Sequence, residues 1–425
     1  MMAKIIWFFH HDATRMFEEE GGRHYWFSEK LQERGYETII FCSSINHHSG
    51  EERAINGAYE IDEVNGIRFV FVKTTAYEGN GLSRIKNWVS FYIGLFNCYK
   101  EIIEKYEKPD IILASSAPPL PFIAGIQIAR KLNIPCIGEV RDLWPEAIFT
   151  VGKSKENSIL GKILHAGEYW MYRNADAVIF TKEGDTDHLR EQGWLVEQGG
   201  KIDISKCYYI NNGIDYQKYL EQIETRTMED SDLEDGKFHV VYTGTVRIIN
   251  NVRNIVEAAI ELKDDPEIEF LIYGDGMERD ELEELARREN LSNIKFKGLV
   301  NKQYIPYILS KSSVNLLNYA QDLYNWKRGN SSNKMFEYLA SGKPVISSVK
   351  MGYDILEKYG CGFSLEECTP QCLSKMIVKV KNMPKDEYEE MGIRAREASK
   401  QFDFEILTDK LEAVIKTVEG LQNEG

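Results

Sequence analysis

The sequence predicts an α/β protein with two doubly wound parallel sheets. Short apolar runs typical of buried strands alternate with helical patterns along most of its 425 residues. The acidic stretch Glu221–Lys237 interrupts this alternation, which then starts again. A chain of this length accommodates two domains of ordinary size. Because open α/β sheets bind ligands at the carboxyl ends of their strands, we predict two such domains facing each other across a cleft.

The first predicted domain covers residues 1–218. It opens with the strand Ile5–Phe9 and continues, after a loop, with the helical pattern Arg23–Arg34, which Gly35 ends as a C-cap. Further strands are predicted at Glu37–Cys42, Ile67–Val72, Ile111–Ala114, Cys136–Val140, Ala177–Phe180 and Tyr208–Ile210. The uncharged run Ile111–Ala129 is nearly long enough to span a membrane, but three prolines interrupt it, which favours strand, loop and helix instead.

The second predicted domain covers residues 238–400. Its predicted strands are Phe238–Thr243, Ile268–Tyr273, Ile294–Phe296, Val314–Leu317 and Pro344–Ser347, and its predicted helices are Asn254–Leu262, Glu278–Glu289, Gln303–Lys311 and Asn333–Ala340. Glu221–Lys237 is interpreted as an exposed linker between the domains. The helical spacing of Glu405–Val418 predicts a last helix. By analogy with other two-domain proteins of this kind, we expect 401–425 to pack back on the first domain.

Composition narrows the classes of function. A net charge of −15 disfavours a nucleic-acid partner. The apolar run at the start is too short for a signal peptide, and seven scattered cysteines fit reduced thiols, so we expect a cytoplasmic protein. The histidines of the first half show no metal-binding spacing. Asp185-Thr186-Asp187 is similar to a metal-binding DxD motif, but its position favours a helix start.

The strongest signal is the stretch Gly329–Ile346, GNSSNKMFEYLASGKPVI. A polar loop ending in Ser331 and Ser332 enters a helix at Asn333, and a helix N-terminus offers N–H groups and partial positive charge to a phosphate. Lys334 adds a positive charge in the first turn. Glu337 follows one turn later, where its carboxylate can accept hydrogen bonds from ribose hydroxyls. An ordinary amphipathic helix with a serine N-cap is the alternative.

This stretch resembles the donor site of glycosyltransferase family 4. Members of that family have the GT-B fold, with two Rossmann-like domains facing each other across a cleft, and bacterial members build surface polysaccharides. The resemblance implies that Glu337 binds the ribose and that Lys334 and Arg247 bind the diphosphate. It also implies a donor contact for Ser331, Ser332 and Asn333. For Arg247, a plain surface cation is the alternative interpretation.

The resemblance extends to other turns of both halves. In the second half, Gly244 follows the strand that opens the donor domain, Gly274 ends the next one, and main chain at Leu299 and Val300 is expected to cup the base. In the first half, Gly21 and Gly22 match a paired-glycine loop that lets backbone approach the donor phosphate. A plain flexible turn is the alternative for those two glycines.

The segment Glu139–Glu146, EVRDLWPE, resembles one typical of the polysaccharide-building members. Asp142 within it is expected to orient the donor sugar or the acceptor, and a structural Arg–Asp pair is the alternative. Many relatives carry a second glutamate eight positions before the one on the ribose, but Gly329 stands there in this chain. We expect backbone N–H groups of the Gly329–Ser332 loop to replace that glutamate.

The resemblance implies a retaining glycosyltransferase. It would move a sugar from a nucleotide diphosphate sugar, UDP-linked by expectation, to a hydroxyl of a bacterial surface glycan or lipid-linked acceptor, with no metal and no cofactor. Two alternatives stay open: a sugar-nucleotide epimerase on the same fold, and a non-catalytic nucleotide- or carbohydrate-binding protein.

One segment raises the question of membrane contact. Trp88–Tyr99 is aromatic and has basic residues at its edges, namely Arg84, Lys86 and Lys100. It fits either a helix that faces the core of the N-terminal domain or one that touches a membrane surface. The second interpretation places the protein at the inner face of the cell membrane rather than free in the cytoplasm.

Overall fold

The chain forms two compact units in a computed structural model that describes residues 3–47, 49–79, 81–116, 118–150 and 155–423. One unit comprises Met1–Asn211 with Leu407–Gly425, and the other comprises Asn212–Ile406. The chain therefore passes between the units at Asn211 and again at Ile406. The last two residues of the predicted C-terminal segment 401–425 lie outside the described residues.

Unit 1 contains an eight-stranded sheet within the described ranges. Its strands are β1 Lys4–Phe9, β2 Tyr36–Ser43, β3 Tyr59–Val64, β4 Ile67–Val72, β5 Ile111–Ser115, β6 Cys136–Val140, β7 Ala177–Phe180 and β8 Cys207–Tyr209. Its first helices are α1 Thr14–Glu18, α2 Arg23–Glu33, α3 Leu82–Tyr106, α4 Leu120–Leu132, α5 Trp144–Thr150, α6 Ile159–Asn174 and α7 Asp185–Glu191. The strand order is β3-β4-β2-β1-β5-β6-β7-β8, and β3 alone is antiparallel to its neighbour among these strands.

The parallel strands of unit 1 confirm the predicted α/β class, because buried parallel strands are continuous apolar runs. Ile67–Val72, Cys136–Val140 and Ala177–Phe180 are strands with the predicted bounds. The run Ile111–Ala129 divides into β5 and the start of α4, as its prolines indicate. The sequence did not predict β3, whose residues are half-buried at the sheet edge and mostly polar.

The order of the strands defines where unit 1 binds ligands. From β1 the chain moves outward to β2 and β4, and it then returns to place β5 on the other side of β1. The gap between β1 and β5 is therefore the topological switch point. Ligands of open α/β sheets bind there, at the carboxyl ends of the strands. The residues that follow β1, β5 and β6 lie at this edge of the sheet.

Unit 2 contains a parallel sheet with strand order β11-β10-β9-β12-β13-β14 over the residues that the structure describes. Its strands are β9 Phe238–Thr243, β10 Ile268–Tyr273, β11 Ile294–Gly298, β12 Val314–Leu317, β13 Val345–Ser347 and β14 Gly362–Ser364. Its helices are α8 Tyr216–Thr225, α9 Val252–Glu261, α10 Arg279–Arg288, α11 Ile305–Ser310, α12 Asn333–Ala340, α13 Ile355–Tyr359, α14 Pro370–Lys381 and α15 Lys385–Lys400. Its switch point lies between β9 and β12.

Both faces of the unit 2 sheet are covered by helices. Val241 packs into one hydrophobic cluster, whereas its neighbours Val240 and Tyr242 pack into another. Successive strand residues point to opposite faces, so two buried clusters indicate two covered faces. The alternation of helix and strand in the sequence requires this doubly wound arrangement.

The last helix, α16 Phe404–Asn423, contributes to unit 1 from Leu407 onward. Its Glu412 accepts a hydrogen bond from the Tyr36 hydroxyl at 3.1 Å and pairs with Arg34 at 3.3 Å. Its Glu419 pairs with Lys4 at the start of β1. Within the part of the chain that is described, no helix combines the length and the apolar character that crossing a membrane requires.

The interpretation of Glu221–Lys237 as an exposed linker between the domains is wrong, because the segment lies within unit 2 and parts of it are packed there. Its first residues belong to α8, and the carboxylates of Asp230 and Asp232 each lie 2.7 Å from the ammonium of Lys297 in β11. The Tyr273 hydroxyl also donates a hydrogen bond to Asp230 at 2.9 Å. Some of the acidic side chains of this segment therefore pair with lysine in the edge strand β11 and are not simply exposed to solvent.

Glycines allow the loops after β9 and β10 to approach closely. The Gly244 N–H donates to the Tyr273 carbonyl and the Gly274 N–H donates to the Gly298 carbonyl, at 2.9 Å and 2.8 Å. A Cβ atom added to Gly274 would lie 1.8 Å from the Gly244 carbonyl oxygen. Both glycines also have positive φ angles, 147° and 148°. These loops therefore need glycine for sterics as well as for backbone conformation.

We expect Gly274→Ala to lower the Tm by roughly 3–10 °C, because the loop backbones must separate, which costs about 1–3 kcal/mol. The matched control is Gly420→Ala in α16, where an added Cβ meets open space. That variant should melt at or slightly above the wild-type temperature. Equal melting temperatures of the two variants in a calorimetric scan would contradict the requirement for close approach.

Candidate functional site

Lys334 lies in the first turn of α12, at the switch point of unit 2. The helix has the predicted bounds, Asn333–Ala340, and Ser332 occupies its N-cap position without a side-chain capping bond. The Lys334 Nζ atom is 3.6 Å from the position that a Cβ of Gly244 would take. The lysine therefore reaches the carboxyl end of β9, next to Gly244. Gly244 is the glycine that matches the first turn of the donor domain in the family.

The ammonium of Lys334 is buried and lacks a hydrogen-bond partner in the described part of the chain. It sits over the faces of two tyrosine rings, 4.5 Å from the centroid of Tyr319 and 4.9 Å from that of Tyr242. Burial, with a further contribution from Arg247, lowers the pKa of Lys334 to about 7, and Glu337 partly opposes this shift. The sequence assigned Lys334 a full charge, whereas its buried environment disfavours the charged form.

Arg247 and Glu337 are near enough to Lys334 to affect its pKa. Arg247 follows the Gly244 turn and is exposed, whereas Glu337 is half-buried one turn along α12 from Lys334. Three of the four predicted catalytic residues, Arg247, Lys334 and Glu337, thus lie in one region of unit 2. Two cations and a helix N-terminus at one strand end form an arrangement suited to a bound diphosphate.

Tyr338 fixes α12 against β9. Its hydroxyl accepts from the Thr243 N–H at 3.0 Å and donates to the Thr243 carbonyl at 3.1 Å. Since Lys334 and Tyr338 are four residues apart, they lie on the same face of the helix. The loop before the helix is fixed as well, because the Asn212 side chain donates to the Ser331 carbonyl at 2.7 Å.

Two of the four backbone N–H groups that the Gly329–Ser332 loop was expected to offer have partners within the chain. The Gly329 N–H donates to the Trp326 carbonyl at 3.1 Å, and the Ser332 N–H donates to the Asn330 side chain at 2.7 Å. Both donors are therefore occupied within the loop. Gly329 itself has a φ of 97°, which explains the glycine at this position by conformation.

Leu299 and Val300, the residues expected near the base, directly follow β11. Leu299 is 81% exposed, whereas Val300 is half-buried against the hydrophobic core. Gly298 before them has a φ of 74° and accepts the hydrogen bond from Gly274. The turn after β11 is thus connected to the glycine loops after β10 and β9.

Unit 1 has a buried charged network at its own strand ends. Arg23, the first residue of α2, donates to the Glu139 carboxylate in β6 at 2.6 Å and to the carbonyls of Asn211 and Ile210. Glu139 also accepts from the Ser115 hydroxyl at 2.8 Å. Burial would raise the pKa of Glu139, but Arg23 and His24 hold it well below its ordinary value.

Two neutral histidines continue this network to Arg141. Burial lowers the pKa of His10 well below its ordinary value, and it lowers that of His24. Arg141 donates to His10 Nε2 at 2.8 Å, so the proton of His10 is on Nδ1 and faces His24 Nδ1 at 3.0 Å. The His24 proton is then on Nε2, which donates to Glu139 at 2.9 Å. The chain of bonds orients the Arg141 guanidinium at the switch point.

The predicted site residues of unit 1 lie at the carboxyl end of its sheet. Gly22 has a φ of 109° and is the N-cap residue of α2, and Gly21 precedes it. Asp142 follows β6 and pairs with Lys182 at 2.9 Å, and Lys182 also donates to the Arg141 carbonyl. The Asp142 carboxylate is 46% exposed and the Lys182 side chain 3% exposed. Asp142 therefore combines an ion pair with access to solvent.

Two groups of side chains could hold a metal ion among the described residues: His165, Glu168 and His188 in unit 1, and Asp235, His239 and Glu269 in unit 2. The first group is bonded internally and to the Tyr172 hydroxyl, and the second is paired with Lys237. Neither group contains a predicted site residue. The DxD-like motif forms the start of α7, where Asp185 is buried and Asp187 pairs with Arg190.

Sequence reasoning missed the tyrosines around Lys334 and the histidines beside Arg141. Tyr242 was within a recognised motif, but the ring contact depends on how β9 and α12 pack. His10 and His24 were noted only for their lack of metal spacing. The position of His10 directly after the buried strand Ile5–Phe9 could have indicated this network, because a buried polar side chain is costly unless it has a hydrogen-bond partner.

Two glycosyltransferase family models match the chain. The model described as "Glycosyltransferase Family 4" matches residues 25–218, and the one described as "Glycosyl transferases group 1" matches residues 224–398. A protein of Escherichia coli K12 named as a colanic acid biosynthesis glycosyl transferase, WcaI, is 33% identical over 56% of each chain. A Pseudomonas aeruginosa protein named as a glycosyltransferase, WbjE, is 18% identical over 66% of this chain and 68% of its own. The matches thus span about half to two thirds of these relatives.

Solved structures share the fold over nearly the whole chain. Sucrose-phosphate synthase from Thermosynechococcus elongatus has a TM-score of 0.71 at 16% identity, covering 98% of this chain and all of that one. The Anabaena protein HepE in complex with UDP has a TM-score of 0.64 at 14% identity, covering 97% of this chain and all of that one. These similarities confirm the predicted GT-B fold.

We expect Asp142→Asn to leave the Tm within about 3 °C of wild type, because the asparagine oxygen can still accept a hydrogen bond from Lys182, which also keeps its bond to the Arg141 carbonyl. The initial rate of sugar transfer should fall at least tenfold. Asp187→Asn, which removes an exposed pair with Arg190, is the control and should retain its rate. A variant of Asp142 that melts early but keeps its specific activity would assign Asp142 a structural role.

Proposed function

Because the chain belongs to the family 4 and group 1 glycosyltransferases, we propose that it transfers a sugar from a UDP-sugar to a hydroxyl group, with retention of anomeric configuration. The acceptor is a bacterial surface glycan or its lipid-linked precursor. Relatives named for colanic acid and teichuronic acid biosynthesis support a polysaccharide product. The structures of HepE with UDP and with UDP-glucose support a uridine donor.

The observation that carries the proposal is the buried Lys334 ammonium, which has no hydrogen-bond partner among the described residues. An isolated buried cation is costly, and a bound anion would remove that cost. The diphosphate of the donor is the anion that the family supplies. In this proposal Glu337, one turn further along the helix, accepts hydrogen bonds from the ribose.

Departure of UDP creates negative charge on the leaving phosphate. Lys334, Arg247 and the α12 N-terminus supply positive charge in the region where that oxygen would develop, and such preorganised charge stabilises the transition state. With retention, the acceptor attacks the face that the phosphate leaves, and the phosphate oxygen accepts the hydroxyl proton. We propose that this transfer needs no divalent metal and no cofactor, because these cations supply the charge.

A thermal-shift series with uridine, UMP and UDP tests the donor site. The unfolded chain binds more protons at Lys334 than the folded chain between about pH 7 and pH 10, so the lowered pKa reduces stability at pH 7. At ~1.4 kcal/mol per pKa unit, Lys334→Met should therefore raise the ligand-free Tm by several degrees. It should also abolish the additional stabilisation by UDP and keep that by uridine.

The matched control for this series is Lys311→Met. Lys311 is a partly exposed lysine of the same unit that lies 3.7 Å from Glu234. Its replacement should change neither the ligand-free Tm nor the response to UDP. A wild-type protein that UDP stabilises no more than uridine does would contradict the diphosphate site.

Product analysis with candidate UDP-sugars and glycan acceptors tests the reaction itself. The proposal predicts UDP release that depends on the acceptor, a product with the anomeric configuration of the donor, and full activity in EDTA. An epimerised sugar nucleotide formed without acceptor would identify an epimerase instead. Activity lost in EDTA and restored by manganese would contradict a metal-free transfer.

A further inference from the structure

Helix α3 has apolar residues on two opposite faces. Its buried face contains Phe91, Leu95, Cys98 and Ile102 and packs into the core of unit 1. The other face carries Leu82, Ile85, Val89 and Ile93, which are between 40% and 78% exposed. Their spacing of three or four residues places them in one stripe along the helix. A surface helix ordinarily has polar residues on that face.

Helix α6 presents a second exposed apolar group at its start. Ile159, Leu160 and Ile163 are between 53% and 82% exposed. Helices α3, α4 and α6 connect parallel strands that follow one another in the same direction across the sheet. Right-handed crossovers in one direction lie on the same face of a sheet, so both apolar groups are on one side of unit 1.

A groove of about 460 Å³ lies between α3 and α4 beside the stripe. Tyr92, Ile93 and Phe96 contribute its apolar side, and Arg130 and Lys131 stand at its edge. The Lys131 ammonium lies 4.8 Å from the Phe96 ring centroid, and the Arg130 guanidinium lies over Trp170 of α6. The groove thus offers an apolar channel with two exposed cations next to it.

The charge of this face is opposite to that of the whole protein. Residues 82–99, 120–132 and 159–174 contain six lysines and arginines and a single carboxylate, Glu168, which is buried, in a chain with net charge −15. On α3 the carboxylates begin at Glu101, beyond the stripe. A partner with apolar interior and anionic surface complements both properties, and this is the description of an anionic lipid bilayer.

We propose that the α3–α4–α6 face of unit 1, defined by these helices, docks on the surface of an anionic lipid bilayer. The exposed stripe and the start of α6 enter the interfacial region, while Lys86, Arg130, Lys131 and Lys162 meet lipid phosphates. The two interpretations of Trp88–Tyr99 are then both correct, each for one face of α3. Membrane docking requires neither the sugar donor nor the acceptor. A test of docking is therefore independent of a test of the proposed sugar transfer.

Vesicle flotation tests the docking surface directly. The probes are phosphatidylcholine vesicles and phosphatidylcholine vesicles with about one third phosphatidylglycerol. The wild-type protein should float with the anionic vesicles and be released when NaCl rises from about 0.05 M to about 0.5 M. The variant Ile85→Ser/Val89→Ser/Ile93→Ser should bind at least tenfold more weakly. Arg130→Gln/Lys131→Gln should reduce binding to anionic vesicles toward the level of neutral ones.

Ile393→Ser is the matched control, because Ile393 is equally exposed but belongs to unit 2. It should float like the wild type, and the Tm of each soluble variant should remain within about 3 °C. Leu82→Ser gives a milder test if the triple variant does not fold. Failure of the wild type to float, or flotation of a folded stripe variant at the wild-type level, would overturn the proposal. The proposal would also be overturned if the wild type forms a dimer but does not bind vesicles, and the stripe variant is monomeric. That result would assign the face to contact with a second copy of the chain.

Discussion

The ammonium of Lys334 is a buried cation that the fold holds between two tyrosine rings. The ring faces favour its charged form, but burial and Arg247 oppose it, and its pKa falls to about 7. A lysine pKa lowered in this way is a contribution that opposes folding at neutral pH. Side chains that reduce folding stability are common in binding sites, where a ligand supplies the missing interaction. Here the diphosphate of a bound donor would pair with the lysine.

The surrounding structure keeps Lys334 in that position. Tyr338 bonds α12 to both backbone groups of Thr243, and Gly244 leaves room where a side chain would meet the lysine. Gly274 and Gly298 hold the neighbouring loops at hydrogen-bond distance. In unit 1, the neutral His10 and His24 orient Arg141 in a similar way, by fixed proton positions in a dry environment. Both units thus place a basic side chain at a switch point and hold it there with buried polar or aromatic groups.

The fold could be predicted because its signals are local. Buried parallel strands such as Cys136–Val140 are apolar runs, and α12 begins at the residue that its polar loop indicated. The half-buried strand Tyr59–Val64 could not be predicted, since its pattern is set by its edge position. The pairing of Asp230 with Lys297 was also invisible, because it joins a connecting segment to a strand 67 residues away.

The candidate site was predicted in part. The motif placed Lys334, Glu337 and Arg247 on the donor side, and the structure brings them into one region. The lysine's protonation and the occupied N–H of Gly329 depend on packing that no local pattern records. The exposure of one apolar face of α3 could not be predicted for the same reason. The sequence shows that the helix is apolar, but it does not show which of its faces is covered.

Proton uptake on UDP binding tests the account most directly. Calorimetric titration at pH 8 in buffers with different ionisation enthalpies measures the protons taken up for each UDP bound. Because the pKa of Lys334 is lowered to about 7 and UDP is already ionised at pH 8, a diphosphate contact that protonates Lys334 predicts net proton uptake on binding, up to about one proton for each UDP. Lys334→Arg, which is charged at any accessible pH, should show almost none. Tight binding of UDP to the wild-type protein without proton uptake would contradict the assignment of Lys334 to the diphosphate.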